Sequence, residues 1–113
     1  MAKHIYVAFF TGIAGSSIGM FLIGDGIIVG ADGGGLKYDG IMEAKADGSL
    51  EGMVGFTVPA GATLISGLTS NESQTLTVHV VLPRDFDNGD KITRIETPAG
   101  PINGRFERLR EVP

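Results

Sequence analysis

From Gln74 to Leu82 the chain alternates along its length, with Leu76, Val78, Val80 and Leu82 on one face and Thr75, Thr77, His79 and Val81 on the other. A period of two is that of a half-buried β-strand. Other short apolar runs, rich in β-branched and aromatic residues, predict strands at residues 4–10, 17–23, 27–29, 36–44, 50–58 and 91–97, with a weaker one at 63–68. Turn signals separate them. Asp25-Gly26 between apolar runs is a hairpin signal, because the primed turns require positive φ at their central positions. Asp47-Gly48 marks another turn, Pro59-Ala60-Gly61 a break, and residues 84–90 a polar loop. Residues 102–112 are ambiguous: Ile102, Phe106 and Leu109 have helical spacing, but Asn103-Gly104 opens a helix poorly, and a strand is expected.

The expectation is therefore an all-β chain of about eight short antiparallel strands. Residues 1–113 are read as a single domain, a small β-barrel or half-open sandwich. So many short strands must protect their edges, and closure into a barrel does so most completely. A barrel of about eight strands holds either packed side chains or one small ligand.

Composition sharpens this picture. Glycine occurs 18 times, about double its usual share of roughly 7%. Each glycine costs a helix about 1 kcal/mol relative to alanine, so the count argues for turns, bulges and barrel bends. With 42% apolar and 19% charged residues the chain is not of the disordered class. Residues 5–24 carry no charge and follow Lys3, as a signal peptide or membrane helix would. Thr11, Gly12, Gly15, Ser16, Ser17 and Gly19 interrupt that stretch, so two strands joined by a Gly/Ser-rich loop are expected, and no membrane partner.

The net charge is −4, and the one basic cluster, Arg105, Arg108 and Arg110, is interrupted by Glu107 and Glu111. Nucleic-acid binding needs clustered positive charge at phosphates, so no nucleic-acid partner is expected. With no cysteine there is no disulfide or thiolate chemistry, and a cytoplasmic location is expected.

Several short motifs suggest chemistry and fail on context. Gly15-Ser16-Ser17-Ile18-Gly19 has the form of a nucleophile elbow, but no helix pattern follows it. The glycines from Gly24 to Gly30 lack dinucleotide spacing and the helix N-terminus that would hold a pyrophosphate. Residues 85–90 resemble a calcium loop with Asp90 where glycine is required, and read better as a solvated turn. The two histidines, His4 and His79, are too few for a metal site. Nothing provides a nucleophile with its base and orienting group. The expectation is a non-enzymatic protein with neither cofactor nor metal.

One stretch is more specific. An aromatic-rich first strand ending in Phe10 leads through a Gly/Ser loop to the hairpin at Gly24-Asp25-Gly26, then Gly30-Ala31-Asp32 and Tyr38-Asp39-Gly40. This order resembles the GrlR-type family of small β-barrel proteins, named for a negative regulator of type III secretion. The likeness ends near Lys45. It implies a lipocalin-like barrel with an apolar interior, able to form a homodimer. The named regulator captures its activator through four consecutive acidic residues at a strand turn. Here Glu43-Ala44-Lys45-Ala46-Asp47-Gly48 replaces that run, and the lysine departs from it.

Two functions follow as expectations. The first is a regulatory or protein-interaction module acting as a homodimer on a protein partner, with Glu43 and Asp47 as candidate contacts. The alternative is a carrier of a small apolar ligand. Phe9, Phe10, Met20, Phe21, Met42, Met53 and Phe56 supply soft bulk for it, and Tyr6, Tyr38 and His79 supply polar anchors. Asp32 and Gly33-Gly34-Gly35 stand out in either case. Consecutive glycines are entropically costly, which suits a turn capped by the Asp32 carboxylate or a flexible lip at a barrel mouth.

Overall fold

The computed structural model describes residues 2–61, 71–98 and 100–113. They form eight strands and no helix: β1 (Lys3–Gly12), β2 (Gly15–Gly24), β3 (Ile27–Asp32), β4 (Lys37–Ala44), β5 (Leu50–Val58), β6 (Gln74–Leu82), β7 (Thr93–Thr97) and β8 (Gly100–Val112). The strand expected at residues 63–68 lies outside the described residues. No helix among the described residues is long and apolar enough to cross a membrane; the uncharged stretch near the N-terminus is instead β1 and β2, paired from His4↔Ile23 to Gly12↔Gly15.

All neighbours are antiparallel, in the order β6-β5-β4-β3-β2-β1-β8-β7. The first six strands form a meander. The long β8 then returns to the free side of β1, from Lys3↔Val112 to Thr11↔Asn103. The sheet curls until its two end strands, β6 and β7, approach one another. Among the described residues no ladder joins them, so the barrel is nearly closed, with one seam.

Local chemistry accounts for the hairpins. The β2–β3 turn has two residues, Asp25 (φ 58°) and Gly26 (φ 84°). Positive φ at both defines the I′ geometry, whose twist matches that of the flanking strands. Within the strands, inward positions are left free of side chains where the barrel bends. A Cβ on Gly30 would lie 2.3 Å from Met20 O and 2.5 Å from the ring of Phe21, the residue it pairs with. The aromatic ring occupies the space that Gly30 vacates.

Alternation then sorts the barrel into an inner and an outer face. Tyr6, Ala8, Phe10, Phe21, Ile23, Ile28, Met42, Val54, Phe56 and Phe106 belong to one buried cluster. Phe9, Met20 and Met53, three of the soft side chains expected inside, point outward instead; Met20 and Met53 are half exposed. Arg105 covers Phe9, its guanidinium 4.4 Å from the ring centroid, and bonds Glu107 Oε1 at 2.8 Å; the basic cluster of β8 is split, since Arg108 pairs with Tyr6 across the ladder and stands 3.7 Å from Asp87 at the plugged end.

The two ends of the barrel differ. At the end carrying the 25–26, 45–49 and 83–92 connections the interior is filled by Ile23, Met42 and Leu82, each fully buried. The 83–92 segment contains the loop at residues 84–90 that the sequence reads as polar and solvated, and corrects that reading at one position. Its turns (Phe86 N to Pro83 O 2.9 Å, Asn88 N to Asp85 O 3.0 Å) drive Phe86 inward. Phe86 is 5% exposed and packs on Tyr6 and Phe106 at centroid distances of 5.2 and 5.4 Å. It plugs this end.

Candidate functional site

The other end opens into a cavity of about 460 Å³. Pockets that hold small molecules span about 300–1,000 Å³ and are mostly apolar with a few placed polar groups. The walls here fit that description. Phe10, Phe21 and Phe106 pack together in the wall, with Phe10 edge-on to both others at 5.8 Å, and Ile28, Val54, Phe56 and Val78 continue the lining. The inward glycines explain why these rings do not fill the barrel. Gly19, Gly30 and Gly104 each lie against an aromatic ring of Phe10, Phe21 or Phe106, so the rings lie along the wall and leave the middle open.

Polar atoms gather at the mouth, around the β3–β4 loop. Asp32 ends β3, and its Oδ1 accepts the N–H groups of Gly34 (2.9 Å) and Leu36 (3.1 Å). Its Oδ2 accepts the phenolic hydrogen of Tyr38 at 2.7 Å. Backbone bonds complete the loop: Gly35 N to Asp32 O at 3.1 Å, Asp32 N to Leu36 O at 3.0 Å and Gly33 N to Ile18 O at 2.8 Å. Gly35 takes φ 89°, where a side chain would be strained. The loop is thus the Asp32-capped turn anticipated in the sequence, and Asp32, Gly33, Gly34 and Tyr38 also line the cavity.

Tyr38 lies between Phe21 and Phe56, at centroid distances of 5.2 and 5.6 Å. Burial, then the hydrogen bond to Asp32 and its negative charge, push the phenol far above its usual pKa. Ser16, Ser17, Gly33 and Gly34 form the lip. The Ser17 Oγ is buried and, among the described residues, has no hydrogen-bond partner. Its sequence context drew attention as a false nucleophile elbow; what could have flagged it is phase, since Ser17 alternates with the buried Phe21 and Ile23.

The remaining candidates fall elsewhere. Gly35 shares the loop without lining the cavity. Tyr6 belongs to the plugged end against Phe86, where burial, with the charge of Asp87, raises its pKa. His79 points outward and bonds Glu51 Oε2 at 2.6 Å. Lys45 Nζ stands 3.7 Å from Glu43 and 3.8 Å from Glu51, so these groups make an exposed charged cluster on the outer wall. Asp47 caps its own turn, accepting from Ser49 Oγ at 2.6 Å and Ser49 N at 2.9 Å. Glu43 and Asp47 are therefore at the opposite end from the mouth.

Among the described residues no group of three or more His, Asp or Glu side chains is placed to hold a metal ion. Comparisons with family models, curated proteins and solved structures gave no match.

Proposed function

We propose that this protein is a non-catalytic binding module that holds a small apolar molecule inside the barrel. The observation that carries the reading is a cavity of about 460 Å³ with aromatic and aliphatic walls, open at the Asp32 loop and plugged by Phe86. A barrel built only for stability gains by filling such a space, because interiors otherwise pack to crystal-like density. An apolar interior is also what the GrlR-type resemblance implies, and a cysteine-free chain suits a cytoplasmic carrier. The test is uptake of the neutral fluorophore N-phenyl-1-naphthylamine, together with native mass spectrometry of the protein as purified. Saturable fluorescence enhancement, or a co-purifying small molecule, is expected. No enhancement and a bare mass would overturn the reading.

The outer wall favours a second role, in a homodimer. Cross-strand neighbours Met20 and Ala31, and Leu22 and Val29, make apolar pairs on β2 and β3, and Ile27, Ile41 and Met53 make an apolar row across β3 to β5, with Ile41 61% and Met20 53% exposed. Clustered exposed apolar side chains of this kind support an interaction face. The occupant we infer is a second copy. Lys37 and Asp39 sit two apart on the outer face of β4, so antiparallel apposition of two β4 strands sets each lysine against the partner's aspartate. Sedimentation of the wild type and of Ile41→Glu tests it: a dimer converted to monomer is expected, and a monomeric wild type would end this second reading.

A further inference from the structure

The polar groups at the mouth specify the chemistry of the molecule's head. The described residues that line the cavity include no Lys, Arg or His. The one charged side chain among them is Asp32, whose carboxylate faces the mouth with its Oδ1 and Oδ2 accepting from Gly34, Leu36 and Tyr38. A carboxylate accepts at about four lone-pair sites, so it has acceptor capacity left after these three bonds. The Tyr38 hydroxyl has already given its hydrogen to Asp32 and offers a ligand none. Elsewhere in the same lining the Ser17 Oγ is buried and, among the described residues, has no partner, and a buried polar atom is normally satisfied.

We propose that the cavity selects amphiphiles whose head group donates hydrogen bonds, above all primary alkylammonium ions, and rejects fatty-acid carboxylates. The inference rests on the carrier reading and narrows it. An alkyl tail lies along the Phe10, Phe21 and Phe56 walls. An ammonium or hydroxyl head at the lip donates to Asp32 and pairs with Ser17. A carboxylate head would stand next to Asp32 with no cation to neutralise it, and placing an unpaired anion at a partly desolvated site is costly. Both heads donate to the same ionised acceptor, but only the ammonium brings an opposite charge to it, which places the ammonium above the alcohol.

The experiment is displacement of N-phenyl-1-naphthylamine from the intact chain by dodecylamine, dodecanol and sodium dodecanoate at neutral pH, each below its micellar concentration. Dodecylamine is expected to displace the probe at a concentration at least about tenfold lower than dodecanoate, as a single like- or opposite-charge contact dictates, with dodecanol between. Asp32→Asn should bring amine and carboxylate to within about threefold of each other. Tyr38→Phe, which keeps the carboxylate and frees Oδ2, should keep or widen the preference, and it gives the answer independently if the Asp32 variant does not fold. Equal displacement by amine and carboxylate, or a preference for dodecanoate, overturns the head-group assignment while leaving the carrier reading intact. Failure of the wild type to take up the probe or any of the three amphiphiles overturns both.

Discussion

Tyr38 and Asp32 hold each other at the barrel mouth: the phenol donates to Oδ2 at 2.7 Å, while Oδ1 ties down the backbone of Gly34 and Leu36. One carboxylate thereby fixes a glycine loop to the aromatic wall. Removing it unties the loop and strands a largely buried hydroxyl at the same time.

Asp32→Ala should therefore destabilise the fold by about 2–3 kcal/mol, since a buried group left without its partner costs about 1–3 kcal/mol and the loop bonds are lost with it. Asp32→Asn, which retains an acceptor for the loop N–H groups, should cost less. Urea denaturation of the three proteins checks the order.

The two tyrosines make a spectroscopic prediction. With Tyr 2 and Trp 0, tyrosinate absorbance reports Tyr6 and Tyr38 alone. Both are raised above the usual 10.0, each chiefly by burial. The unfolded phenols ionise near 10 and the native ones do not, so this contribution to stability is complete below pH 10 and is lost as pH rises toward the native values. Both phenols should be less than half ionised at pH 10 in the folded barrel, and Tyr38 should yield tyrosinate only together with loss of the β-sheet circular dichroism. A native titration centred on 10 would refute the burial argument.

Phe86 is the plug of the closed end. Truncating it to alanine should cost about 3–5 kcal/mol, the range for a buried phenylalanine, measured by chemical denaturation.

Two glycines should respond differently to alanine. Gly30→Ala drives a Cβ into Met20 O and the Phe21 ring, an overpacking whose cost is at least about 2 kcal/mol. At Gly26 a Cβ meets nothing within 4 Å, and only the left-handed backbone is penalised, by about 1 kcal/mol. Thermal melts should rank Gly30→Ala well below Gly26→Ala.

Asp47 supplies a pH test at the other end. Its carboxyl is held below the usual 3.8 first by the Ser49 hydroxyl and then by the Ser49 N–H. Its contribution to stability is present above the unfolded pKa and disappears as pH falls through the lowered native one. In a carboxyl-carbon NMR titration, Ser49→Ala should move the Asp47 midpoint upward.

How far the sequence could be read depended on phase. β5 and β6 begin and end where alternation and turn residues place them, and β8 is the strand expected over its helical competitor. The helical spacing of Ile102, Phe106 and Leu109 has a structural origin. Register shifts between Ile5 and Tyr6, which oppose Arg110 and Arg108, so Leu109 is the extra residue of a bulge. It is exposed and out of phase with Ile102 and Phe106, and a bulge inserted in a period of two imitates a helix.

The site was legible in part. Asp32 and its glycines announced a capped turn at a strand end, and Tyr38 followed in the next strand. Phe86 did not announce itself, because a single aromatic among Asp and Asn reads as solvated until the fold turns it inward. The cavity was equally silent. Whether Phe10, Phe21 and Phe106 fill a barrel or line it depends on which inward positions opposite them are glycine, and that is a matter of register between strands distant in sequence.

The seam between β6 and β7 bears on the breadth of what the barrel can accept. In a fully closed barrel, strand number and shear fix the girth. Here the hydrogen-bonded circuit ends at β6 and β7, and the circumference can widen there without breaking a ladder elsewhere. Val78 and Val80 of β6 and Ile95 of β7 flank the seam from inside and belong to the cavity wall. On the carrier reading the barrel would work as a split collar: the thickness of a guest would be adjusted at the slit, and its polar end chosen at the Asp32 lip.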